Sequence, residues 1–190
     1  MKINRTGRST PLTDQLFLKI LDAFSENAHR LYWAIAWYTG ERPTAILRLP
    51  QASVYGSSGQ PLKAIVFSGR SRKCGRTREV PIARKLHPYL LAYRPDPGLL
   101  MFPSRRSPDR EIHRRTMDAA FRRALIRAKL TGLGLSLYSA RRGFCSGLAA
   151  KGVGLATIQT LTGHQSLSVL SRYIETDPMD ERSIAAINLL

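Results

Sequence analysis

The stretch from Ser136 to Thr176 constrains the fold more than any other part of the sequence. It places Arg141, then a Gly163-His164 pair, then Tyr173 nine positions after the histidine, with short helical segments between them. An arginine can bind the non-bridging oxygens of a phosphodiester bidentately, a histidine can donate a further hydrogen bond, and a tyrosine hydroxyl can attack the phosphorus. The stretch therefore predicts a metal-free phosphodiester site assembled at the ends of short helices.

The first helix of this stretch is predicted to carry Arg141. Ser139 is a suitable N-cap for a helix over 140–151, with Phe144 and Leu148 as core contacts one turn apart. Arg141 then lies in the first helical turn, where the helix dipole disfavours a cation. A bound phosphate would explain an arginine at that position.

The next two helices are predicted to present the histidine and the tyrosine. Gly163 closes the first of them, so His164 follows at the break with its ring free to point at a ligand. Ser166 can cap the second, over 167–173, which delivers Tyr173 at its far end. A lone histidine is more often structural, and a tyrosine there is ordinarily half-buried core. The nine-residue offset between the two favours a functional interpretation.

Two further basic residues lie upstream. Arg42 follows a predicted helix over 29–38 and precedes Pro43, which suits the first position of a helix over 44–49. Lys73 lies at the tip of the turn GRSRKCGRT, between predicted strands. Such a basic tip can enter a DNA groove. Taken alone, Arg42 is ordinarily interpreted as a solvated surface arginine, and the turn around Lys73 as a solvated charged loop.

The order and spacing of these residues resemble one family. The chain resembles the catalytic domain of the tyrosine recombinases, the phage-integrase family, in three features. These are the pattern Arg-x22-His-x8-Tyr with TGH before the tyrosine, an arginine in YTGERPTAILRL and a lysine in GRSRKCGRTREVP. The resemblance covers about residues 13–176. It implies a mainly α fold with a small antiparallel three-stranded sheet, for which the sequence offers strands near 52–55, 63–68 and 78–82.

The resemblance also implies a mechanism. Tyr173 would attack the scissile phosphorus and form a 3′-phosphotyrosyl link, and Lys73 would protonate the leaving 5′-oxygen. Arg42, Arg141 and His164 would hold the charge that develops on the phosphoryl oxygens. Neither a cofactor nor a metal is implied.

Three departures from the family pattern bear on activity. Tyr138 stands where a histidine is usual three residues before the second arginine, and it can hydrogen-bond a phosphate but cannot become a cation. Ala45 stands where an acidic residue is usual three positions after the first arginine, so a buttress for the cluster is expected to be lost. The separate helical DNA-clamping domain that most recombinases carry is absent from the given sequence.

Length and charge are consistent with a single DNA-binding domain. The 190 residues, 43% of them apolar, allow one core, with residues 1–10 as a flexible basic arm and 11–190 as one catalytic domain. Thirty Lys and Arg against 13 Asp and Glu give a formal charge of +17, which indicates a polyanionic partner, double-stranded DNA first. There is no secretory signal and no apolar run long enough to span a membrane, and the two cysteines are expected to be free thiols. These features favour the cytoplasm and association with the nucleoid.

The DNA contacts are expected to come from two basic segments and one further arginine. The helix predicted over 113–129 has an apolar stripe, and arginines crowd its remaining surface, where a solvated basic face is the alternative. The candidate DNA-binding residues of the hairpin, this helix and the Arg141 helix are Arg70, Arg72, Arg76, Arg114, Arg115, Arg122 and Arg142.

Alternative functions remain open from the sequence. A type IB topoisomerase would use the same chemistry, and a catalytically silent module that binds DNA beside a recombinase would need neither Lys73 nor Tyr173. The segment 179–190 is predicted to form a last amphipathic helix that docks on a neighbouring subunit or on its own domain. Self-association on DNA, as a dimer or tetramer, is the corresponding expectation for an active enzyme.

Overall fold

A computed structural model describes residues 7–69, 75, 77–93, 95, 98–174 and 188. Eight α-helices and one two-stranded sheet account for the regular structure of these residues. The helices are α1 (Asp14–Ala23), α2 (Asn27–Thr39), α3 (Pro43–Leu47), α4 (His87–Ala92), α5 (Arg114–Arg127), α6 (Ser139–Ala150), α7 (Leu155–Thr162) and α8 (Leu167–Ser171).

Helix α2 lies at the centre of the core. It is apolar almost all round, and Leu31, Trp33 and Ile35 are buried although they face in different directions along the helix. Helices α1, α3, α4, α5 and α6 all pack against it. The predicted central position of this helix is confirmed, and its C-terminal end is therefore fixed relative to most of the domain.

The sheet is smaller than predicted. Strands β1 (Ala64–Phe67) and β2 (Arg78–Pro81) pair antiparallel, with Ile65 opposite Val80 on the buried face. The predicted first strand, over 52–55, is wrong in the described structure, because Gln51–Ser53 forms a 3-10 helix instead. That turn closes locally when the Val54 and Tyr55 N–H groups donate to the Gln51 carbonyl, so this backbone does not join a ladder.

Two predicted helix starts are also corrected. The sequence pattern predicts a helix from about 83 to 93, but helix α4 begins only at His87, with Pro88 in its first turn, where a missing N–H has no cost. Ser139 is the first residue of α6 rather than its N-cap, which is Tyr138. The Ser139 hydroxyl oxygen instead accepts a hydrogen bond from the Ser136 N–H at 3.0 Å and so secures the loop before the helix.

The predicted core contacts on α6 need one correction. Phe144 and Leu148 are only half-buried, whereas Gly143 and Cys145 are buried. A Cβ at position 143 would lie 2.3 Å from the Leu12 carbonyl oxygen and 2.6 Å from a Trp37 ring carbon. Helix α6 thus has no room for a side chain at position 143, where it packs against Leu12 and the Trp37 ring of α2.

We expect Gly143→Ala and Gly147→Ala to change stability in opposite directions. Alanine at 143 overlaps backbone and ring atoms and should lower the free energy of unfolding by about 1–3 kcal/mol. None of the described residues lies within 4 Å of a Cβ at 147, so alanine there should raise it by about 0.5–1 kcal/mol through helix propensity. Urea unfolding of the two variants checks this, and equal effects would contradict the close approach of α6 to α2.

Several predictions concern segments that the structure describes only in part. The tip of the β1–β2 hairpin, residues 70–74 and 76, and nearly all of the predicted C-terminal helix lie outside the described residues. In the N-terminal segment, the Thr10 side chain donates to the Leu133 carbonyl at 2.6 Å, and the Ser9 and Ser136 hydroxyls are 2.5 Å apart. The last residues of the predicted arm are thus attached to the loop before α6.

Candidate phosphodiester-binding site

Arg141 is the centre of the site and is fully buried. Its Nη1 donates to the Gly40 carbonyl at 2.6 Å and its Nη2 donates to the Thr162 carbonyl at 3.1 Å. These carbonyls belong to the C-terminal ends of α2 and α7, where the helix dipole favours a cation. The expectation from the sequence considered only the start of α6, whose dipole opposes Arg141. The guanidinium itself lies against two helix ends that stabilise it.

Left-handed glycines make these two helix ends possible. Gly40 ends α2 at φ 60° and Gly163 ends α7 at φ 62°, a region that L side chains rarely adopt. A Cβ at Gly40 would in addition lie 2.5 Å from the Phe144 ring. The two glycines therefore stop their helices where the last carbonyls can accept from Arg141.

His164 is buried, and both of its ring nitrogens are occupied. Nε2 is 2.9 Å from Nη2 of Arg141, and Nδ1 is 2.6 Å from the Thr162 hydroxyl. Arginine can only donate, so Nε2 must accept and Nδ1 must carry the proton. The Thr162 hydroxyl oxygen accepts a hydrogen bond from this Nδ1–H. The same hydroxyl donates a hydrogen bond to the Ile158 carbonyl at 2.6 Å. The ring predicted to be free is instead held by α7 in one tautomer and orients Arg141.

The surroundings of His164 also keep its ring neutral. Burial, followed by the positive charges of Arg141, Arg42 and Arg78, lowers the pKa of His164 to about 3. The Arg141 side chain remains charged, because burial and the neighbouring Arg42 lower its pKa only to about 10 while Glu41 raises it. The site therefore combines charged arginines with a neutral imidazole.

Acid should destabilise the protein partly through His164. The unfolded histidine takes up a proton near pH 6.5 and the folded one only near pH 3, so in this window the unfolded state holds more protons. The free energy of unfolding should fall as the pH is lowered from 7 to 5, by up to about 1.4 kcal/mol per pH unit for one proton. Burial lowers the pKa of His29 as well, so its effect has the same sign.

Urea unfolding at several pH values isolates the contribution of His164. His164→Gln should show a shallower pH slope than wild type, with His87→Gln, at an exposed position, as the matched control. Equal slopes in the wild type and His164→Gln would contradict the neutral buried imidazole.

Tyr173 contacts both of these residues through its ring. The ring centroid lies 4.7 Å from that of His164, and the Arg141 guanidinium carbon is 5.5 Å from it. Helix α6 fixes the tyrosine backbone, since the Ser146 hydroxyl donates to the Tyr173 carbonyl at 2.9 Å. Within the described residues the Tyr173 hydroxyl has no hydrogen-bond partner.

Arg42 and Glu41 complete the group from the other side. Arg42 is the N-cap of α3, and Glu41 is buried with its carboxylate between Arg42, Arg78 and Arg141. Two guanidinium nitrogens, Nη1 of Arg42 and Nε of Arg141, are buried and have no hydrogen-bond partner among the described residues. Such donors usually have a partner, so the unused pair marks a place for an anion.

Sequence reasoning missed Glu41, Arg78 and Thr162. Glu41 and Arg78 are 37 residues apart and meet only because β2 packs beside the end of α2. A charged residue inside the motif around Arg42 was a signal that could have been used, since YTGERP has a glutamate directly before the arginine. Thr162 carried a signal too, because it ends α7 two residues before the histidine.

The remaining predicted residues are distributed around this group. Tyr138 is half-buried, and the exposed Arg114 at the start of α5 stacks over its ring at 5.5 Å. Arg115 is exposed, and Arg122 forms an ion pair with Asp118 at 2.8 Å. Arg142 is 7% exposed, which places it among buried groups rather than on an open surface. The predicted residues that lie outside the described part of the chain are Lys73, Arg70, Arg72 and Arg76.

Two other kinds of site were sought in the described residues. No three His, Cys, Asp or Glu side chains come together there in a way that could hold a metal ion. None of the described helices has the length and hydropathy needed to cross a bilayer.

Comparison with known proteins agrees with this arrangement. The family model of the phage integrase family matches residues 12–179, which include every described residue of the site. The chain belongs to the phage integrase family. No curated protein matches it.

Solved structures of recombinases and integrases share its fold. The crystal structure of XerA recombinase has a TM-score of 0.76 and 18% identity, over 97% of this chain and 67% of that one. XerH site-specific recombinase bound to a palindromic difH substrate has a TM-score of 0.74 and 20% identity, over 99% and 56%. A lambda integrase dimer bound to a COC′ core site has a TM-score of 0.71 and 20% identity, over 93% and 52%.

These likenesses identify the fold as that of a tyrosine-recombinase catalytic domain. The predicted fold class, mainly α with a small antiparallel sheet, is confirmed, with two strands in the described residues instead of three. The chain spans between 52% and 67% of the length of the three structures.

Proposed function

We propose that the chain is the catalytic part of a site-specific DNA recombinase or integrase that cuts and rejoins DNA through a 3′-phosphotyrosyl intermediate. One observation carries the proposal: an unpartnered tyrosine hydroxyl stands beside buried, charged arginines that have unused donors. Tyr173 packs on His164 and Arg141, and Nε of Arg141 and Nη1 of Arg42 lack hydrogen-bond partners among the described residues. A phosphodiester would supply the missing acceptor and the electrophile together.

The proposed reaction exchanges one phosphoester bond for another. The Tyr173 oxygen attacks the phosphorus, a P–O bond to tyrosine forms and the bond to the 5′-oxygen breaks. The phenolic proton passes to water, and the leaving 5′-oxygen takes a proton, for which the family resemblance nominates Lys73. Because one phosphoester replaces another, the step needs no nucleotide hydrolysis and a 5′-hydroxyl can reverse it.

Arg141 and Arg42 have the electrostatic role. In this proposal their charges stabilise the negative charge that grows on the phosphoryl oxygens, and one well-placed donor contributes about 2.7–4 kcal/mol to such a transition state. His164 acts chiefly through Arg141 in this arrangement, because its Nε2 accepts from that side chain. Tyr138 stands near the start of α6, where the family usually has a histidine. The Arg114 guanidinium stacks over the Tyr138 ring, so a positive charge lies beside the tyrosine at this position.

The partner we propose is double-stranded DNA bound by more than one copy of the chain. The formal charge of +17 suits a polyanion, and the exposed arginines at the start of α5 adjoin the site through Tyr138. The solved XerH and lambda integrase structures contain DNA, and the latter is a dimer on its core site. Both support DNA as the partner, and the lambda integrase dimer supports self-association of this chain on DNA.

A covalent trapping experiment tests the function. The protein is incubated with nicked duplexes prepared from pooled genomic fragments, so that the short strand released by cleavage diffuses away and cannot be rejoined. We expect an adduct that resists SDS, and its mass-mapped peptide should carry the nucleotide on Tyr173. Folded protein that binds DNA with a steep salt dependence but forms no adduct would overturn the strand-transfer proposal and favour a silent DNA-binding module.

A further inference from the structure

Glu41 is the carboxylate around which the arginines of the site are arranged. It is 1% exposed, and its Oε2 accepts from Nη2 of Arg78 at 2.5 Å. Its Oε1 accepts from the backbone N–H of Arg42 at 2.7 Å and lies 3.8 Å from Nη1 of Arg141. Nη1 of Arg42 is 4.0 Å from the same oxygen. One buried carboxylate thus contacts three arginines from three different parts of the chain.

The backbone around Glu41 is fixed on both sides. The Glu41 N–H donates to the Thr39 hydroxyl at 3.2 Å, and that hydroxyl donates to the Ile35 carbonyl at 2.7 Å. Gly40, directly before it, supplies the carbonyl that Arg141 contacts. The carboxylate therefore has little freedom to move, and the arginines that bind it are held relative to the end of α2.

Charge explains why a carboxylate is needed at this point. Three guanidinium groups in a desolvated space repel one another, and the Arg42 charge together with burial already lowers the pKa of Arg141, whereas Glu41 raises it. Among the described residues, one carboxylate against three guanidinium groups leaves an excess of two positive charges, and the unused donors of Arg42 and Arg141 remain available to an anion. Without it the side chains would separate or turn toward solvent.

We propose that Glu41 is a positioning residue that sets the spacing and direction of Arg42 and Arg141 for the phosphodiester. This inference rests on the proposed function. It also compensates for the acidic residue that is missing at position 45, where Ala45 is 2% exposed and carries no charge. The buttress expected from that position is supplied by Glu41, from the other side of Arg42.

Three variants test the assignment. Glu41→Gln keeps the shape and removes the charge, Glu41→Asp keeps the charge on a shorter side chain, and Glu79→Gln removes an exposed carboxylate next to Arg78 as the matched control. Adduct formation is measured at saturating nicked DNA, duplex affinity at fixed salt, and folding by urea unfolding, all at a temperature where each variant is folded.

We expect Glu41→Gln to slow adduct formation at saturating DNA by about 10²–10³-fold, the effect of losing one aligned donor. Duplex affinity should change less than about threefold, because the exposed arginines at the start of α5 are untouched. Glu41→Asp should recover most of the rate, and Glu79→Gln should match wild type. A purely structural role would lower stability without changing the rate of the folded protein. A wild-type rate in folded Glu41→Gln would overturn the assignment.

A second readout does not depend on activity. In ¹H–¹⁵N spectra, the Nε–H signal of the buried Arg141 is protected from exchange, and we expect it to shift and broaden in Glu41→Gln but not in Glu79→Gln. If the wild type forms no adduct, the proposed function fails while this comparison still decides the role of Glu41. An unchanged Arg141 signal in Glu41→Gln would overturn it.

Discussion

We expect Tyr173→Phe to abolish the covalent protein–DNA adduct while the protein stays folded and bound to DNA. The phenyl ring retains the 4.7 Å contact with His164 and the position beneath the Arg141 guanidinium, so only the hydroxyl is lost. Removal of a catalytic nucleophile lowers a rate by about 10⁴-fold or more, which places the adduct below detection. Stability should change by less than about 1 kcal/mol, because that hydroxyl has no hydrogen bond within the described residues.

The matched control is Tyr89→Phe, which removes a phenolic hydroxyl from the half-buried face of α4. Adduct yield on nicked duplex, duplex affinity and urea unfolding are compared for the two variants and the wild type. Adduct formation by Tyr173→Phe at an appreciable rate would assign the nucleophile to another residue.

Arg141→Lys should have the second largest effect, on stability as well as on rate. Lysine keeps the charge but cannot reach the Gly40 carbonyl, the Thr162 carbonyl and Nε2 of His164 together. These buried acceptors would lose their donor, and breaking such a buried group costs about 3–5 kcal/mol. The rate of adduct formation by the molecules that remain folded should fall by about 10²–10³-fold.

Arg106→Lys, a change at an exposed position, serves as the control and should stay within about 0.5 kcal/mol of wild type. Urea unfolding gives the stability difference, and adduct formation at low temperature gives the rate of folded protein. A loss below about 1 kcal/mol in Arg141→Lys would show that the two helix ends contribute little to holding the guanidinium.

The elements with strong periodicity were predictable from the sequence. Helix α2 was predicted over 29–38 and α5 over 113–129, and both were found with shifts of one or two residues, because a long apolar stripe determines where such helices lie. The segment 52–55 was predicted as a strand because a short apolar run does not distinguish a strand from a tight turn. Its 3-10 turn depends on hydrogen bonds within the segment and to the Leu99 and Leu100 carbonyls.

The sequence indicated several residues of the site but not how they are arranged. The spacing of Arg141, His164 and Tyr173 indicated that they share a site, and the structure brings these three together. It did not indicate that Nε2 of His164 accepts from Arg141, since that depends on how α7 ends beside α6. Glu41 was passed over because its partners Arg78 and Arg141 come from distant segments.

The contact between Nη1 of Arg141 and the Gly40 carbonyl joins positions 101 residues apart, and Ser9 meets Ser136 across 127 residues. Loop closure over such distances comes late in folding, after local helices have formed. During synthesis, residue 40 therefore emerges long before its partner exists, and the end of α7 follows later still. The group of arginines that would bind a phosphodiester is thus assembled only after synthesis has passed the end of α7, so a shorter nascent chain lacks the site.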